Sequence, residues 1–148
     1  MSHPLLTIRL AIKRLYDHEM APIMERYGLT RMELDVLLFL GSNPGCDTAA
    51  QIVQLRMMTK SHISKAVEHL TELGLLTQAR DEQNRRRIHL TLTDAALPVV
   101  SEAQQAQSRV ITQMMGGVTP EENEILCRVV QRINRNVAIV LDEGHTHS

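Results

Sequence analysis

The chain has 148 residues, of which 43% are hydrophobic and 22% charged, with a formal net charge of −1. This is enough for one domain, 1–148, with a real core, and too apolar for a disordered chain. Aromatics are only 2% and no apolar run approaches the ~18–20 residues that cross a bilayer. Arg9 and Lys13 break up any signal-peptide layout, and two cysteines are too few for a disulfide scaffold, so a cytoplasmic protein is expected.

Residues 5–27 place Leu5, Ile8, Ala11, Ile12, Leu15 and Tyr16 at helical spacing, with Pro22 expected to bend or break the helix and Gly28 to end it. Thr30 and Glu33 have the spacing of a capping box, and Leu34, Leu37 and Leu38 follow on one face. That helix stops at the cluster GSNPG. Thr48 and Gln51 open a short helix with Ala49, Ile52 and Leu55 inward. Thr59 then caps KSHISKAVEHLTEL, whose apolar positions Ile63, Ala66, Val67, Leu70 and Leu73 form one stripe, and Gly74 suits a left-handed stop.

Beyond Gly74 the period changes to two. Residues 75–80 and 87–93 read as a β-hairpin, with the turn-prone DEQN between them. Helical spacing then resumes. Thr93 is placed to cap a long helix toward Met115, with Pro98 a kink within it, and Gly116 and Gly117 end it. Thr119-Pro120-Glu121-Glu122 opens the last helix, which carries Ile125, Leu126, Val129, Val130, Ile133, Val137, Val140 and Leu141.

Charge is uneven along this plan. Residues 1–47 carry net −1, residues 48–93 net +3 and residues 94–148 net −3. The basic middle holds two helices joined by a short turn and followed by a hairpin, a winged helix-turn-helix. Its second helix frees Lys60, Ser61, His62, Ser64, Lys65, Glu68, His69 and Glu72. Ser61 and Ser64 suit base edges or phosphates, His62 suits guanine or phosphate, and Lys60 and Lys65 suit phosphates. An arginine run is ordinarily a solvated face, but Arg85, Arg86 and Arg87 sit in a hairpin behind a helix-turn-helix, where they read as contacts to double-stranded DNA.

The block TAAQIVQLRMMTKSHISKAVEHLTELGLL, then Asn84, Arg85 and Arg86, then Leu92, Thr93 and Ala96, resembles the MarR family of bacterial winged-helix regulators. The resemblance covers nearly the whole chain. It implies a mainly α fold with a small β-hairpin wing, a DNA-binding lobe at 30–93, and helices at 1–29 and 94–148 that form a homodimer. It further implies a repressor on a pseudo-palindromic operator, released by a small apolar or phenolic effector bound between the dimer and DNA-binding regions. By the same motif Arg86 is the minor-groove residue, and Asp81 and Asn84 stabilise the wing, Asp81 by pairing with Arg86. Asn84 stands where the family writes an aspartate, which implies one ion pair fewer.

The remaining chemistry is sparse. Cys46 reads as a small, partly buried residue and Cys127 as packed in the last helix. The seven histidines do not converge as zinc ligands do, with His62 and His69 on the DNA side, so neither metal nor cofactor is expected. The methionines read mostly as core filler. No nucleophile elbow, P-loop or dinucleotide motif occurs, which leaves no support for an enzyme. The alternative to a DNA-binding regulator is a winged-helix module that holds protein partners, consistent with Glu68 and Glu72 on the free face.

Overall fold

The computed structural model describes residues 2–56 and 59–146. Met57 and Met58, among the methionines read above as core filler, and His147 lie outside the described residues, as does the side chain of Leu55, read above as facing inward. The element order is α1 (Pro4–Tyr27), α2 (Arg31–Ser42), α3 (Ala49–Arg56), α4 (Lys60–Glu72), β1 (Leu76–Arg80), β2 (Ile88–Leu92), a single 3-10 turn (Asp94–Ala96), α5 (Leu97–Met114) and α6 (Pro120–Thr146). The chain divides into two compact units, Met1–Ile111 and Thr112–Ser148. Among the described residues no helix is long and apolar enough to cross a membrane.

Local sequence accounts for most of these boundaries. α1 runs through Pro22 to Gly28, whose φ of 65° is the left-handed conformation that glycine adopts without strain. α2 begins on a complete capping box: the Glu33 amide donates to Thr30 Oγ1 at 3.2 Å, and the Thr30 amide donates to Glu33 Oε1 at 2.8 Å. α4 begins at Thr59, whose hydroxyl accepts from the His62 amide at 3.4 Å. It ends one residue earlier than its apolar stripe suggests. Leu73 is the C-cap and is 45% exposed, and Leu75, whose amide donates to the Leu70 carbonyl, takes the buried place.

The core of the first unit joins α2, α3, α4, the wing strands and α5. Leu34, Leu37, Ile52, Ile63, Leu70 and Val99 are fully buried in it. β1 and β2 form an antiparallel pair with Leu76 opposite Leu92 and Arg80 opposite Ile88. Leu76 and Leu90 turn inward and tie the hairpin to α4.

Four expectations need correction. Thr93 caps no long helix, because its hydroxyl donates back to the Gly74 carbonyl at 2.6 Å and a 3-10 turn intervenes. α5 therefore starts at Leu97, so Pro98 falls in the first turn, where its missing N–H removes no helical bond. The apolar stripe of α1 is not buried along its length: Met20 and Ile23 are buried, whereas Leu5 and Ile8 are about half exposed. In the second unit Cys127 is exposed, not packed, on a helix whose apolar residues Ile125, Val129, Val137 and Val140 are also exposed. Cys46 is partly buried against the core of the first unit.

Candidate nucleic-acid interface

α4 buries Ile63, Ala66, Val67 and Leu70, and so presents the residues between them to solvent. Lys60, Ser61, His62, Ser64 and Lys65 are all exposed on its first two turns, with Glu68 and Glu72 exposed further along. The dipole and free amides of the helix start add a positive end to that surface.

The wing brings its own cations to the same place. A cleft of about 540 Å³ opens between α3, the start of α4 and the wing tip, and Lys60, Ser64, Asn84, Arg86 and Arg87 line it. Four predicted contacts, Lys60, Ser64, Arg86 and Arg87, are thus gathered in one concavity with the wing residue Asn84. His62 and Lys65 line a shallower depression on the α2 side of α4, beside Thr30 and Met32. Ser61 and Arg85 are exposed and line neither hollow.

The tip is held by a compact set of hydrogen bonds. Asp81 Oδ1 accepts from the amides of Gln83 at 2.8 Å and Asn84 at 3.0 Å, and the Asp81 amide donates to the Arg87 carbonyl at 2.9 Å. Asn84 Oδ1 accepts from the Arg86 amide at 3.2 Å, while the Arg87 amide donates to the Asn84 carbonyl. Arg80 Nη1 donates to the Arg85 carbonyl at 3.3 Å. The three arginine side chains are thereby exposed from a backbone that is pinned on both sides.

Asp81 does not pair with Arg86. Its second oxygen, Oδ2, lies 2.8 Å from His89 Nε2, and among the described residues His89 is its ion-pair partner. The other ring nitrogen, Nδ1, lies 2.8 Å from Asp47 Oδ2 in the loop before α3. The His89 hydrogen bond, then the Asn84 and Gln83 amides, hold the Asp81 carboxyl down to about 2. Hydrogen bonds from Asp81 and then Asp47 push the His89 imidazolium up from its ordinary value. Asp47 is itself fixed: the Leu90 amide donates to its carbonyl at 2.7 Å, and its own amide donates to Gln51 Oε1 at 2.9 Å. Gln51 also accepts from the Thr48 amide and hydroxyl, so one side chain caps α3 and braces the wing base.

His69, half exposed, likewise bonds a protein carboxylate. Its Nδ1 bonds Glu33 Oε2, the free oxygen of the capping-box glutamate on α2. Burial works to raise the Glu33 pKa, but the Thr30 backbone bond and His69 outweigh it, and the group lies below its ordinary value. The histidine bonds to Asp81 and Glu33 were beyond sequence reasoning. Glu33 lies 36 residues before His69, and Asp81, eight residues before His89, meets it only across the folded hairpin, so neither shows in any local spacing.

Residues 27–87 match the model of the MarR family, a stretch that holds α2, α3, α4, β1 and the whole wing tip. Solved structures share the fold over almost the full length. A MarR protein from Peptoclostridium difficile is 20% identical over 93% of this chain and 89% of its own, with a TM-score of 0.81. MepR of S. aureus, solved in a complex with DNA, is 17% identical over 92% of this chain and 99% of its own, with a TM-score of 0.77. The organohalide-sensing transcriptional regulator RdhR, solved with 2,4-dichlorophenol bound, is 19% identical over 89% of this chain and 76% of its own, with a TM-score of 0.67. The lobe of residues 27–87 is thus similar to the MarR family, and the chain shares the winged helix-turn-helix fold of the solved MarR-type structures along almost its full length.

Proposed function

We propose that the protein is a sequence-specific, homodimeric DNA-binding transcriptional regulator, acting as a repressor that a small apolar or phenolic effector releases. The observation that carries this reading is the cleft in which Lys60 and Ser64 of α4 meet Arg86 and Arg87 of the wing. Phosphates and base edges are the partners that such a mixture of cations and small hydroxyls recognises. Lys60, Lys65, Arg85 and Arg87 neutralise phosphates, Arg86 enters the minor groove, and Ser61, His62 and Ser64 meet the major groove. Asp81 and Asn84 keep the tip in shape for that task.

The MepR complex supports DNA as the partner, and the dichlorophenol-bound regulator supports a phenolic effector, each by likeness of fold. Exposed apolar residues on α1 and α6, among them Leu5, Ile8, Val129 and Val137, supply surface for a second copy of the chain. Two recognition helices would then read half-sites about one helical turn apart, ~34–36 Å. The effector acts by favouring a dimer whose recognition helices are wrongly spaced. The protein is a regulator and not an enzyme.

Selection of bound duplexes from a random pool tests the reading. Enrichment of a pseudo-palindrome supports it. A pool that stays random, or binding that ignores salt, favours instead a module for protein partners, which Glu68 and Glu72 on α4 would suit.

A further inference from the structure

We propose that Asp47, His89 and Asp81 form a proton-dependent latch that positions the wing against the start of α3, so that DNA affinity follows the protonation of His89. The latch is a property of the free protein. Its effect on affinity rests on the DNA-binding reading above.

The geometry carries the inference. Each nitrogen of the His89 ring lies 2.8 Å from a carboxylate oxygen, Asp47 Oδ2 on one side and Asp81 Oδ2 on the other. An ionised carboxylate only accepts hydrogen bonds, so both contacts form together only when both ring nitrogens carry protons. A neutral imidazole has one donor, and its bare nitrogen would confront a carboxylate lone pair. One arm of the latch then opens.

The two arms join different parts of the lobe. Asp47 belongs to the loop that Gln51 ties to α3, and Asp81 belongs to the tip, where its other oxygen orders Gln83 and Asn84. His89 is thus the pin between α3 and the backbone that displays Arg86 and Arg87. A bridge between Thr48 and His89 and the bond from the Leu90 amide to Asp47 run beside it. Those backbone links survive deprotonation, so the pin tunes the wing's position and does not decide whether the wing folds.

The charges around the ring come from several elements. Asp47 faces it from the α2–α3 loop and Asp81 from the end of β1. Arg87 lies two residues before it, on the approach to β2. Arg80, on β1, is directed to the Arg85 carbonyl. On α3 the neutral Gln51 is bonded to the Asp47 amide, and from α4 Lys60 shares the cleft with Arg87. Among the described residues, His89 is the cation within 4.0 Å of either carboxylate, so no lysine or arginine holds the latch shut once it deprotonates. The ring is 33% exposed on its side chain, which leaves it open to proton exchange with solvent.

The sign follows from the directions of the shifts. A histidine raised in the folded state holds its partners below its ordinary value and releases them as pH rises through the raised one. Asp81, held down to about 2, stays ionised throughout that window.

Nitrogen-15 NMR of the full chain without DNA, from about pH 5 to about pH 9, tests the latch directly. The expected result is a His89 ring that carries protons on both nitrogens below its titration and titrates above the ordinary imidazole value. Protection of the Asp81 amide, taken relative to its intrinsic exchange rate at each pH, should fall as it titrates, while that of Leu90 should hold. A ring titrating at or below the ordinary value, or Asp81 amide protection indifferent to pH, overturns the proposal. Duplex binding is then measured across the same pH range. Affinity should fall about 5-fold or more across the His89 titration, the low end of ordinary coupling between sites. His89→Gln should flatten that profile at weak binding, and His89→Lys, which keeps the cation, should flatten it at strong binding. Unchanged pH dependence in both variants overturns the coupling to DNA. A latch that titrates as expected in a protein that binds no duplex overturns the DNA-binding reading and leaves the latch standing.

Discussion

Replacing Lys60, Arg86 and Arg87 together by alanine removes the cations that, among the described residues, line the cleft between α4 and the wing. All three side chains are exposed, so the fold loses little. If each neutralises one phosphate, the slope of log affinity against log salt becomes shallower by about 0.9 for each, or about 2.7 in all. A fourfold rise in salt should then weaken the wild type about 40-fold more than the triple variant. Fluorescence anisotropy with a labelled duplex, run across a salt series, reads this slope. Arg135→Ala on α6, exposed but outside the lobe, serves as the control and should leave the slope as it is. A triple variant whose slope stays within about 0.5 of the wild type would remove phosphates from the cleft and refute the docking of this face on DNA.

Two other predictions concern the scaffold. Glu33→Ala removes both the reciprocal cap of α2 and the partner of His69, and should lower stability by about 1–3 kcal/mol in urea unfolding; a loss under about 0.5 kcal/mol would show that the pair is idle. Because the Glu33 carboxyl lies below its ordinary value, its contribution is present above that value and should fade as acid protonates it, a trend that the alanine variant should lack. Val137→Asp places a charge on an already exposed position of α6, so helicity should hold while sedimentation shows the dimer dissociating; a wild-type chain that sediments as a monomer would contradict the homodimer.

Much of the fold was legible because its signals are local. Thr30 with Glu33, Thr48 with Gln51 and Thr119 with Glu122 are capping pairs three residues apart, and all three form. The stripe of Ile63, Ala66, Val67 and Leu70 faces the core as its spacing predicts. Misreadings came where a local rule met a distant partner. Thr93 has the chemistry of a helix cap, but its hydroxyl is taken by Gly74, nineteen residues earlier. His69 lies on the solvent side of the α4 pattern, yet Glu33 reaches it from the start of α2. Asp81 is a wing residue as expected, with His89 as its partner in place of Arg86. The alternating strand pattern around Ile88, His89 and Leu90 places His89 on one face of the hairpin, but nothing in it points 42 residues back to Asp47. The cleft itself was visible only as a list of exposed cations and hydroxyls, because its shape depends on the angle of the wing to α4.

The central claim is that α4 reads sequence while the wing supplies affinity. Binding of Ser64→Ala and Arg86→Ala to the selected duplex and to a scrambled one tests it most directly. Ser64→Ala should narrow the gap between the two duplexes, and Arg86→Ala should weaken binding and make its salt dependence shallower. If both variants bind the selected duplex as tightly as the wild type, the docking of α4 and wing on DNA is contradicted.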